Sequence, residues 1–575
     1  MSGSIADIIR AAVREAALRS GSVTEAELPP IVVEAPRSKE HGDFSTNVAM
    51  LVSARANKPP MELAAAIASK IDTQLARLAA VEVQKPGFIN MRLSREFLEE
   101  NLRSVLSESD KFGKSDFGAG ELVQVEFVSA NPTGPLNVVS ARAAAVGDSL
   151  VRLMKACGYD ARSEFFVNDS GTQVELLGLS LKARVEELLG RGEARIPEQG
   201  YHGEYLAELA REIPRDKALE MLGEAPPPEK PTGRPGSPAS PGETGATTGG
   251  RFARFAVERM HEAQESGLEK FGVRFDHWFR ESSLHSAGHV EGTFKTLQQS
   301  GFVYEKDGAA WLKTSGLGDE EDRVVRKSSG EPTYFLSDIA YHKNKFERGF
   351  KKVIDIWGPD HHGHVPRMKA AARALGYPDD WLEVLIVQWV RLMRGATPVS
   401  MSKRAGEFVT LSDLVSEVGA DCARFFFLMR RVNSHLDFDL ELAKKQSEEN
   451  PVYYVQYAHA RVSSILEFAR EAGVGFCKLE EADLSLLQTP EEVALLRELV
   501  NYPEYVRAAC VTREPQRITS YLTCLATALH QFYHHGRVVG TEQGVMQARL
   551  VLVRAVRTVI RSGLELIGVS APDKM

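Results

Sequence analysis

The first 115 residues combine helical and strand-like patterns of apolar positions. Ile5, Ile8, Ile9 and Val13 recur at the spacing of one helix face, which predicts an amphipathic helix near the N-terminus. The stretch VEVQKPGFINMRL, residues 81–93, predicts two short strands around a Pro-Gly turn. We therefore expect a small α+β domain over residues 1–115.

A second pattern begins with the β-branched and aromatic run LVQVEFVSA, which predicts a strand ending at Ala130. The turn NPTGP follows, and a helical pattern runs from Val138 to Lys155. Further on, KKVIDIWG predicts a strand, PRMKAAARALG a helix and EVLIVQWVRLM a further strand-like run. Strand, Gly/Pro loop and helix in this order open a nucleotide-binding α/β fold, so we expect a Rossmann-like parallel-sheet domain over residues 116–410.

One segment inside this domain has a different composition. Residues 226–250 hold seven Pro, six Gly and no large apolar side chain. Such a segment buries too little surface to offset the entropy lost on ordering. We expect a disordered insertion on the surface that the chemistry does not need.

From Leu411 to the end the patterns are mostly helical, which predicts an all-α bundle over residues 411–575. The last pattern has an apolar face and, separate from it, a basic one. The apolar face consists of Leu552, Val556, Val559 and Ile560, and the basic face of Arg554, Arg557 and Arg561. Residues 501–575 carry nine basic and five acidic side chains in a chain of net charge -8, which alone favours a solvated helix face.

The composition of all 575 residues is that of a globular protein of three or four domains, with 43% hydrophobic and 26% charged residues. It excludes collagen, coiled coil and wholesale disorder. Charges interrupt every apolar stretch before the roughly 18 residues that a membrane span needs. The N-terminus carries Asp7 and Glu15 and is unlike a secretory signal, and none of the five cysteines pairs at CxxC spacing. We expect a cytoplasmic protein without a zinc site or a disulfide framework.

Two loops carry candidate chemistry. The turn within residues 129–148 leads from a strand into a helix, whose first amides can meet phosphate. The basic loop SMSKRAG, residues 400–406, offers Lys403 and Arg404 to a polyphosphate. Taken singly, a structural turn and an ordinary surface loop remain open alternatives.

Taken together, the two loops resemble the HIGH and KMSKS signatures of class I aminoacyl-tRNA synthetases. Further segments narrow the resemblance to the arginyl-tRNA synthetase family and cover nearly the whole chain except the insertion. They are HGDFSTNVAM, PGFINMRL, VEFVSANPTGPL, FVNDSGTQ, GVRFDHWFRESSL, TYFLSDIAYHKNKFERGF, IWGPDHHGHVPRM, MSKRAGEFVTL, HLDFDLELA, ENPVYYVQYAHAR and GLELIGVSAPDKM.

The departures from this family lie in the two signatures. Asn137-Val138-Val139-Ser140 stands where the family has His-x-Gly-His, and Ser400 replaces the first lysine of KMSKS. Asn137 and Ser140 can donate hydrogen bonds but carry no charge. Losing one transition-state donor typically costs about 100–1000-fold in rate.

The resemblance implies a set of site residues. Asn137, Ser140 and Lys403 stand at the catalytic positions. The ATP-binding set is Pro135, Asn137, Ser140, Gly358, Asp360, His361, Met401, Ser402 and Lys403. The arginine-binding set is Asn131, Glu281, Tyr334 and Asp338, and the tRNA-binding set is Tyr457, Arg554, Arg557, Arg561 and Met575. Three histidines and an acid in PDHHGH would also suit a metal, and the tyrosines near 457 would also suit a helical core, so both alternatives stay open.

The function that the resemblance implies is ligation of L-arginine to tRNA(Arg) through an arginyl-adenylate. ATP is the co-substrate with Mg²⁺, no zinc is expected, and we expect a monomer without a membrane partner. The N-terminal domain resembles the family's extra domain, which contacts the tRNA elbow, and adenylate formation is expected to wait for tRNA. The alternative is a synthetase-like protein that binds arginine or RNA without ligating them; a different class I synthetase is less consistent with the acid-lined pocket.

Overall fold

The computed structural model describes residues 4–34, 36, 39–224, 248–399 and 409–575. The chain forms two compact units. One consists of residues 1–119, 153–158 and 446–575, and the other of residues 120–152 and 159–445. These units group residues by contact and do not test the three domain boundaries, which stay a prediction.

The N-terminal part of the first unit is an α+β structure. Helix α1 follows a capping box in which Ser4 and Asp7 satisfy each other's backbone amides, and Ile5, Ile9 and Val13 form its buried face. Strands β1, β3 and β2 form an antiparallel sheet in that order. The elements are α1 Ile5–Arg19, β1 Phe44–Thr46, α2 Val48–Ala56, α3 Pro60–Ala68, β2 Leu78–Gln84, β3 Phe88–Leu93 and α4 Arg95–Glu108.

The second unit alternates strands and helices. In chain order it contains β4 Leu122–Phe127, α5 Val138–Ala156, β5 Asp160–Val167, α6 Thr172–Leu188, α7 Glu204–Glu212, α8 Arg215–Met221, α9 Thr248–Lys270, β6 His277–Arg280, α10 Glu281–Ser286, α11 His289–Gln299, β7 Val303–Lys306, β8 Ala309–Leu312, β9 Arg323–Arg326, α12 Tyr334–Glu347, β10 Lys352–Trp357, α13 Val365–Ala374, β11 Leu382–Ile386, β12 Val390–Arg394, β13 Thr397–Pro398, α14 Leu411–Val418, α15 Ala420–Leu428, β14 Leu436–Asp439 and α16 Leu440–Lys444.

Five parallel strands form the central sheet of this unit, in the order β11-β10-β4-β5-β6. Helix α5 lies very close to β4, because a side chain at Gly147 would come within 2.1 Å of the Phe127 ring. Helices α6 to α9, which we call the inserted helices, have an apolar core of their own around Leu177, Leu206 and Phe252. Two three-stranded sheets, β7-β8-β9 and β13-β12-β14, complete the unit.

The C-terminal part of the first unit is a bundle of four long helices. They are α17 Pro451–Glu471, α18 Pro490–Val511, α19 Gln516–His535 and α20 Gln543–Leu566. Leu552, Val556, Val559 and Ile560 are all buried, so the apolar face predicted for α20 is confirmed. Searched for membrane spans, the described helices include none that is both long and apolar enough to cross a bilayer.

The predicted fold class is confirmed, with local corrections. Strand β4 ends at Phe127, three residues before the predicted end. The single run predicted over EVLIVQWVRLM is two strands that belong to different sheets, because the chain leaves the parallel sheet after β11. Residues 225–247 lie outside the described residues, whereas 248–250, predicted to be disordered, open helix α9.

Candidate active site

The loops that follow the strands of the parallel sheet meet at its carboxyl edge. The chain places β5 and β6 on one side of β4, and β10 and β11 on the other. Ligands of open α/β sheets bind at such a switch in strand order, outside the carboxyl ends. The segments that reach this edge are 128–137 after β4, 168–171 after β5, Glu281 after β6 and 358–364 after β10.

The segment 128–137, which we call the β4 loop, begins with strained backbone. Val128 and Ser129 have φ angles of 68° and 38°, in the left-handed region. A β-branched residue is rare there, and each such conformation costs about 1–3 kcal/mol. Ser129 Oγ donates to Glu126 Oε1 at 2.8 Å and accepts from Phe166 N at 3.1 Å. These two bonds hold the turn that follows β4 against the neighbouring strand β5.

Asn137 caps helix α5. Its Oδ1 accepts from Val139 N and Ser140 N, both at 3.0 Å, so two of the amides left free at the helix start are already paired. Ser140 Oγ lies 3.3 Å from the same oxygen. The helix therefore begins at Val138, within residues 137–140, which we call the signature segment. Fewer amides are available at this helix start than the sequence suggested. Asn137 Nδ2 makes no hydrogen bond within the described part of the chain.

A buried guanidinium fixes helix α5 two residues beyond Ser140. Arg142 is fully buried and donates to the carbonyl oxygens of Gln388, Arg431 and Ser434 at 2.8–2.9 Å. Burial lowers the pKa of Arg142 to about 10, which still leaves it protonated at neutral pH. The position of the helix thus depends on these three contacts rather than on residues 137–140 alone.

A cavity of about 1020 Å³ opens beside the signature segment. It contains four of the predicted site residues, Asn131, Pro135, Asn137 and Ser140. The wall on the other side comes from the inserted helices and from the segment before β12. It includes Gln173, Gly200, Tyr201, His202, Gly203, Glu204, Tyr205, Trp389 and Val390.

Glu281 is the most buried of the predicted arginine-binding residues, with 5% of its surface exposed. Asn168, with its amide nitrogen turned toward Glu281, donates to Glu281 Oε2 at 2.8 Å. Burial raises the pKa of Glu281 above its ordinary range, and the negative charges of Asp338 and Asp169 raise it further. Glu281 and Asp338 thus repel each other across a site that suits a cation.

Tyr334 and Asp338 lie one turn apart at the start of α12. Thr333 caps this helix, and Asp338 Oδ2 lies 3.1 Å from His364 Nε2. Tyr334 is 65% exposed, and its hydroxyl lies over Gly171, where a side chain would come within 3.2 Å of it. The segment 168–173 therefore contacts three of the predicted arginine-binding residues. Gly171 lies beside Tyr334, Asn168 contacts Glu281, and Gln173 Oε1 accepts from Asn131 Nδ2 at 2.7 Å.

Buried charges hold α12 against the sheet beneath these residues. Lys345 has no exposed surface and donates to Glu126 on β4 and to Asp355 on β10. His342 Nε2 lies 2.8 Å from Asp355 Oδ2, and its Nδ1 lies 2.8 Å from the carbonyl oxygen of Asp338. The position of the Asp338 turn is thereby linked to two strands of the sheet.

The segment after β10 is a short 3₁₀ turn, Pro359–His364, in which Asp360 and His361 are exposed. A side chain at Gly358 would meet nothing within 4 Å, so no contact among the residues that the structure describes requires glycine there. Among the described residues no group of three or more His, Cys, Asp or Glu is arranged to hold a metal ion. Met401, Ser402 and Lys403 lie outside those residues.

Two residues near the pocket were not assigned from the sequence. Asn168 orients Glu281, and Asp169 accepts from Ser282 N at 2.8 Å and Ser282 Oγ at 2.7 Å. Both follow directly after strand β5. The signal that could have identified them is their position at a strand end, in the stretch FVNDSGTQ.

The predicted tRNA-binding residues fall into two separate cavities of the helical bundle. Tyr457 and Met575 line one of about 870 Å³, together with Arg461, Phe468 and Tyr533. The other, of about 400 Å³, contains the predicted arginines of α20 and one from α17. Its basic side chains are Arg470, Arg554, Arg557 and Arg561.

Comparisons with known proteins identify the family to which this chain is similar. Three family models match: the arginyl-tRNA synthetase N-terminal domain over residues 3–93, the catalytic domain of class I (R) tRNA synthetases over 250–431, and the DALR anticodon-binding domain over 455–575.

Two curated relatives have the name arginine–tRNA ligase. The protein of Moorella thermoacetica is 47% identical over 97% of this chain and 96% of its own length. That of Desulfosudis oleivorans is 46% identical over 99% of each. The solved Thermus thermophilus arginyl-tRNA synthetase, 21% identical, has the same fold, with a TM-score of 0.74 over 99% of this chain and all of that one. At this identity and coverage, the chain belongs to the arginyl-tRNA synthetase family.

Proposed function

We propose that this protein ligates L-arginine to tRNA(Arg) with ATP. The arginine carboxylate attacks the α-phosphorus of ATP, pyrophosphate leaves, and arginyl-adenylate remains. A hydroxyl of the terminal ribose of tRNA then attacks the arginyl carbonyl carbon and AMP leaves. Family membership supports the reaction, and the observation that carries the substrate is the buried carboxylate of Glu281, which Asn168 orients at the carboxyl edge of the sheet. Asp338 is the second carboxylate that we assign to the guanidinium.

The arginine side chain fits the charge of this pair. A guanidinium presents five N–H donors and no acceptor, so its partners must be acceptors, and two carboxylates compensate its charge. Asn168 fixes one oxygen of Glu281 and leaves the other 3.8 Å from His285. Tyr334 and Asn131 stand at the rim, where they orient the rest of the amino acid.

ATP, as its magnesium complex, enters the cavity beside the signature segment. Pro135, Asn137 and Ser140 line this cavity, where the Asn137 amide and the Ser140 hydroxyl offer neutral donors. We assign Gly358, Asp360 and His361, at the end of β10, to the same nucleotide. Charge compensation for the phosphates comes from Mg²⁺ and from Lys403, with Met401 and Ser402 on the same loop. The protein's contribution is mostly alignment of the carboxylate with the α-phosphorus.

Two kinds of RNA contact are supported by the bundle cavities. Tyr457 stacks on His530 with ring centres 6.0 Å apart and lies under the Arg461 guanidinium at 4.8 Å, an arrangement that suits an unpaired base. The arginine-lined cavity suits backbone phosphates, which would share or replace the partners of two of its arginines. Arg557 pairs with Asp573 at 2.7 Å and Arg561 with Asp110 at 2.9 Å. We assign the anticodon bases to the first cavity and the phosphates of the adjoining stem to the second.

The test is aminoacylation by the purified chain with arginine, ATP, Mg²⁺ and folded tRNA(Arg), accompanied by pyrophosphate exchange with and without tRNA. We expect arginyl-tRNA to form and exchange to need tRNA. Absence of turnover, with arginine binding intact by calorimetry, would favour the alternative of a binding protein that does not ligate. A cytoplasmic location and a monomeric state belong to the same proposal, and sedimentation at micromolar concentration measures the latter.

A further inference from the structure

Two side chains from the inserted helices hold the backbone of the β4 loop. Gln264 Nε2 on α9 donates to the carbonyl oxygens of Asn131 at 3.1 Å and Gly134 at 3.0 Å. Tyr205 Oη on α7 donates to the carbonyl oxygen of Thr133 at 2.6 Å. Three carbonyls of four consecutive residues are therefore bound by neutral donors that come from later in the chain.

The environment of these donors makes them suited to holding the loop. Gln264 is 2% exposed, and its Oε1 has no hydrogen-bond partner among the residues that the structure describes, so only its donor end is engaged. The Tyr205 ring lies beside Gly134, with 3.6 Å between its Cζ and a side chain built there. Burial raises the pKa of Tyr205, so the hydroxyl remains protonated and donates across the physiological range.

The β4 loop needs such support because its backbone is strained. Left-handed conformations at Val128 and Ser129 persist only where the surroundings determine them. The Ser129 hydroxyl fixes one end of the loop, and the cap at Asn137 fixes the other. The carbonyls of residues 131–134 lie between these points, and the described structure holds them through Gln264 and Tyr205.

We propose that Tyr205 and Gln264 are positioning residues for arginyl-adenylate formation. Gln264 does not line the cavity that we assign to ATP, and Tyr205, which does line it, uses its hydroxyl on the Thr133 carbonyl. Both act through residues 131–134, which place Asn131 on the arginine side and lead into Pro135 and Asn137 on the ATP side. The proposal rests on the proposed function. Because the signature segment has lost its histidines, the rate depends on alignment by neutral groups, and small displacements of such groups cost rate more than affinity.

The experiment uses full-length protein in single-turnover aminoacylation with saturating tRNA. Tyr205→Phe keeps the ring and removes the donor, and Gln264→Met keeps the volume and removes both donated bonds. We expect the rate constant of adenylate formation, followed by tRNA-dependent pyrophosphate exchange beside the aminoacylation, to fall about tenfold in each, with the KM for arginine within threefold and the melting temperature close to that of the control. The control is Tyr521→Phe, which removes an equivalent hydroxyl-to-carbonyl bond, to Glu498 O at 2.9 Å, in the helical bundle.

Three outcomes overturn the proposal: rates within twofold of the unmodified protein, an equal loss in Tyr521→Phe, or a rise in the arginine KM without a change in rate. The last would make the two residues substrate-binding rather than positioning. An inactive unmodified protein would instead contradict the proposed function, so the two failures are distinguishable. Circular dichroism of each variant excludes unfolding as the cause, and Gln264→Asn, a second donor variant, should retain more rate than Gln264→Met.

Discussion

The two halves of the candidate site solve opposite electrostatic problems by different means. The arginine pocket places Glu281 and Asp338 where they repel each other, so a cation relieves the repulsion. The signature segment faces a polyanion, yet Asn137 and Ser140 carry no charge and the nearby amides are capped. In the proposed reaction, selectivity for the amino acid comes from charge, whereas the alignment of ATP rests on the held backbone and on charge that we assign to Lys403 and Mg²⁺.

The two halves are therefore expected to respond differently when a single charge or a single hydrogen bond is removed. A buried charge that loses its partner pays the cost of desolvation, so single changes in the pocket are severe. Where several neutral donors act together, each hydrogen bond contributes only about 0.5–1.5 kcal/mol of stability, so the loss of one is milder. Four predictions test this contrast.

The largest effect is expected in the pocket. Glu281→Gln should weaken arginine binding by about 2–5 kcal/mol because a charged partner of the guanidinium is lost, while the KM for ATP stays within threefold. Asp338→Asn should act in the same direction but less, since its carboxylate is 42% exposed and already near His364. Michaelis constants for both substrates measure this. An arginine KM within threefold of normal in Glu281→Gln would remove that residue from the pocket.

Lys403 should be the strongest single contributor on the ATP side. Because the signature segment supplies no charge, Lys403→Ala should slow arginyl transfer by about 100-fold or more, with arginine binding changed only a few-fold. Single-turnover aminoacylation measures the step. Lys327→Ala, which removes an exposed lysine paired with Glu331, serves as the control and should leave the rate unchanged. Near-normal turnover in Lys403→Ala would mean that the phosphates are compensated elsewhere.

Arginine affinity should also depend on pH, in a direction set by Glu281. Its pKa is raised, mainly by burial, so the acid form is populated at a higher pH than for an ordinary glutamate. A guanidinium needs the ionised form; affinity is therefore full above the raised pKa and falls as pH drops through it, by up to about tenfold per unit. Calorimetric titration with arginine across the mildly acidic range measures the slope. Glu281→Gln should flatten the profile, and an unchanged slope in that variant would assign the titration to another group.

The smallest effects are expected at the signature segment. Ser140→Ala should lower the rate only a few-fold, because its hydroxyl adds one weak contact to the Asn137 cap. Asn137→Ala should cost about 1 kcal/mol of stability through the lost cap. Asn137→Asp restores the cap but presents negative charge to the phosphates, so thermal stability should recover while activity does not. Recovery of both would show that Asn137 acts only as a cap.

Much of the fold and part of the candidate site could be predicted from local sequence patterns. The strand, turn and helix around residues 122–156 follow from periodicity, and the buried face of α20 follows from its spacing. Asn137 was also identifiable as a helix cap, since Asn is among the residues favoured there. Its cap uses only the amide oxygen, so the prediction that its Nδ2 donates to phosphate stays open.

Other features have no local signal. Tyr205 and Gln264 lie 72 and 130 or more residues from the loop that they hold, and nothing near them in the sequence indicates that contact. Lys345 has the pattern of an exposed helical lysine but is buried between Glu126 and Asp355, which approach it only once strands β4 and β10 pair. Such contacts depend on topology, which the order of motifs indicates only coarsely.

Arg142 has a consequence for which substitutions the start of α5 can accept. Because three backbone carbonyls hold its guanidinium, loss of the Asn137 cap should weaken the start of α5 without detaching the helix from Gln388, Arg431 and Ser434. Replacement of Arg142 should detach it, since a lysine cannot reach three acceptors with the same planar fork. We therefore expect substitution to cost more at Arg142, which holds the helix, than at residues 137–140, which begin it.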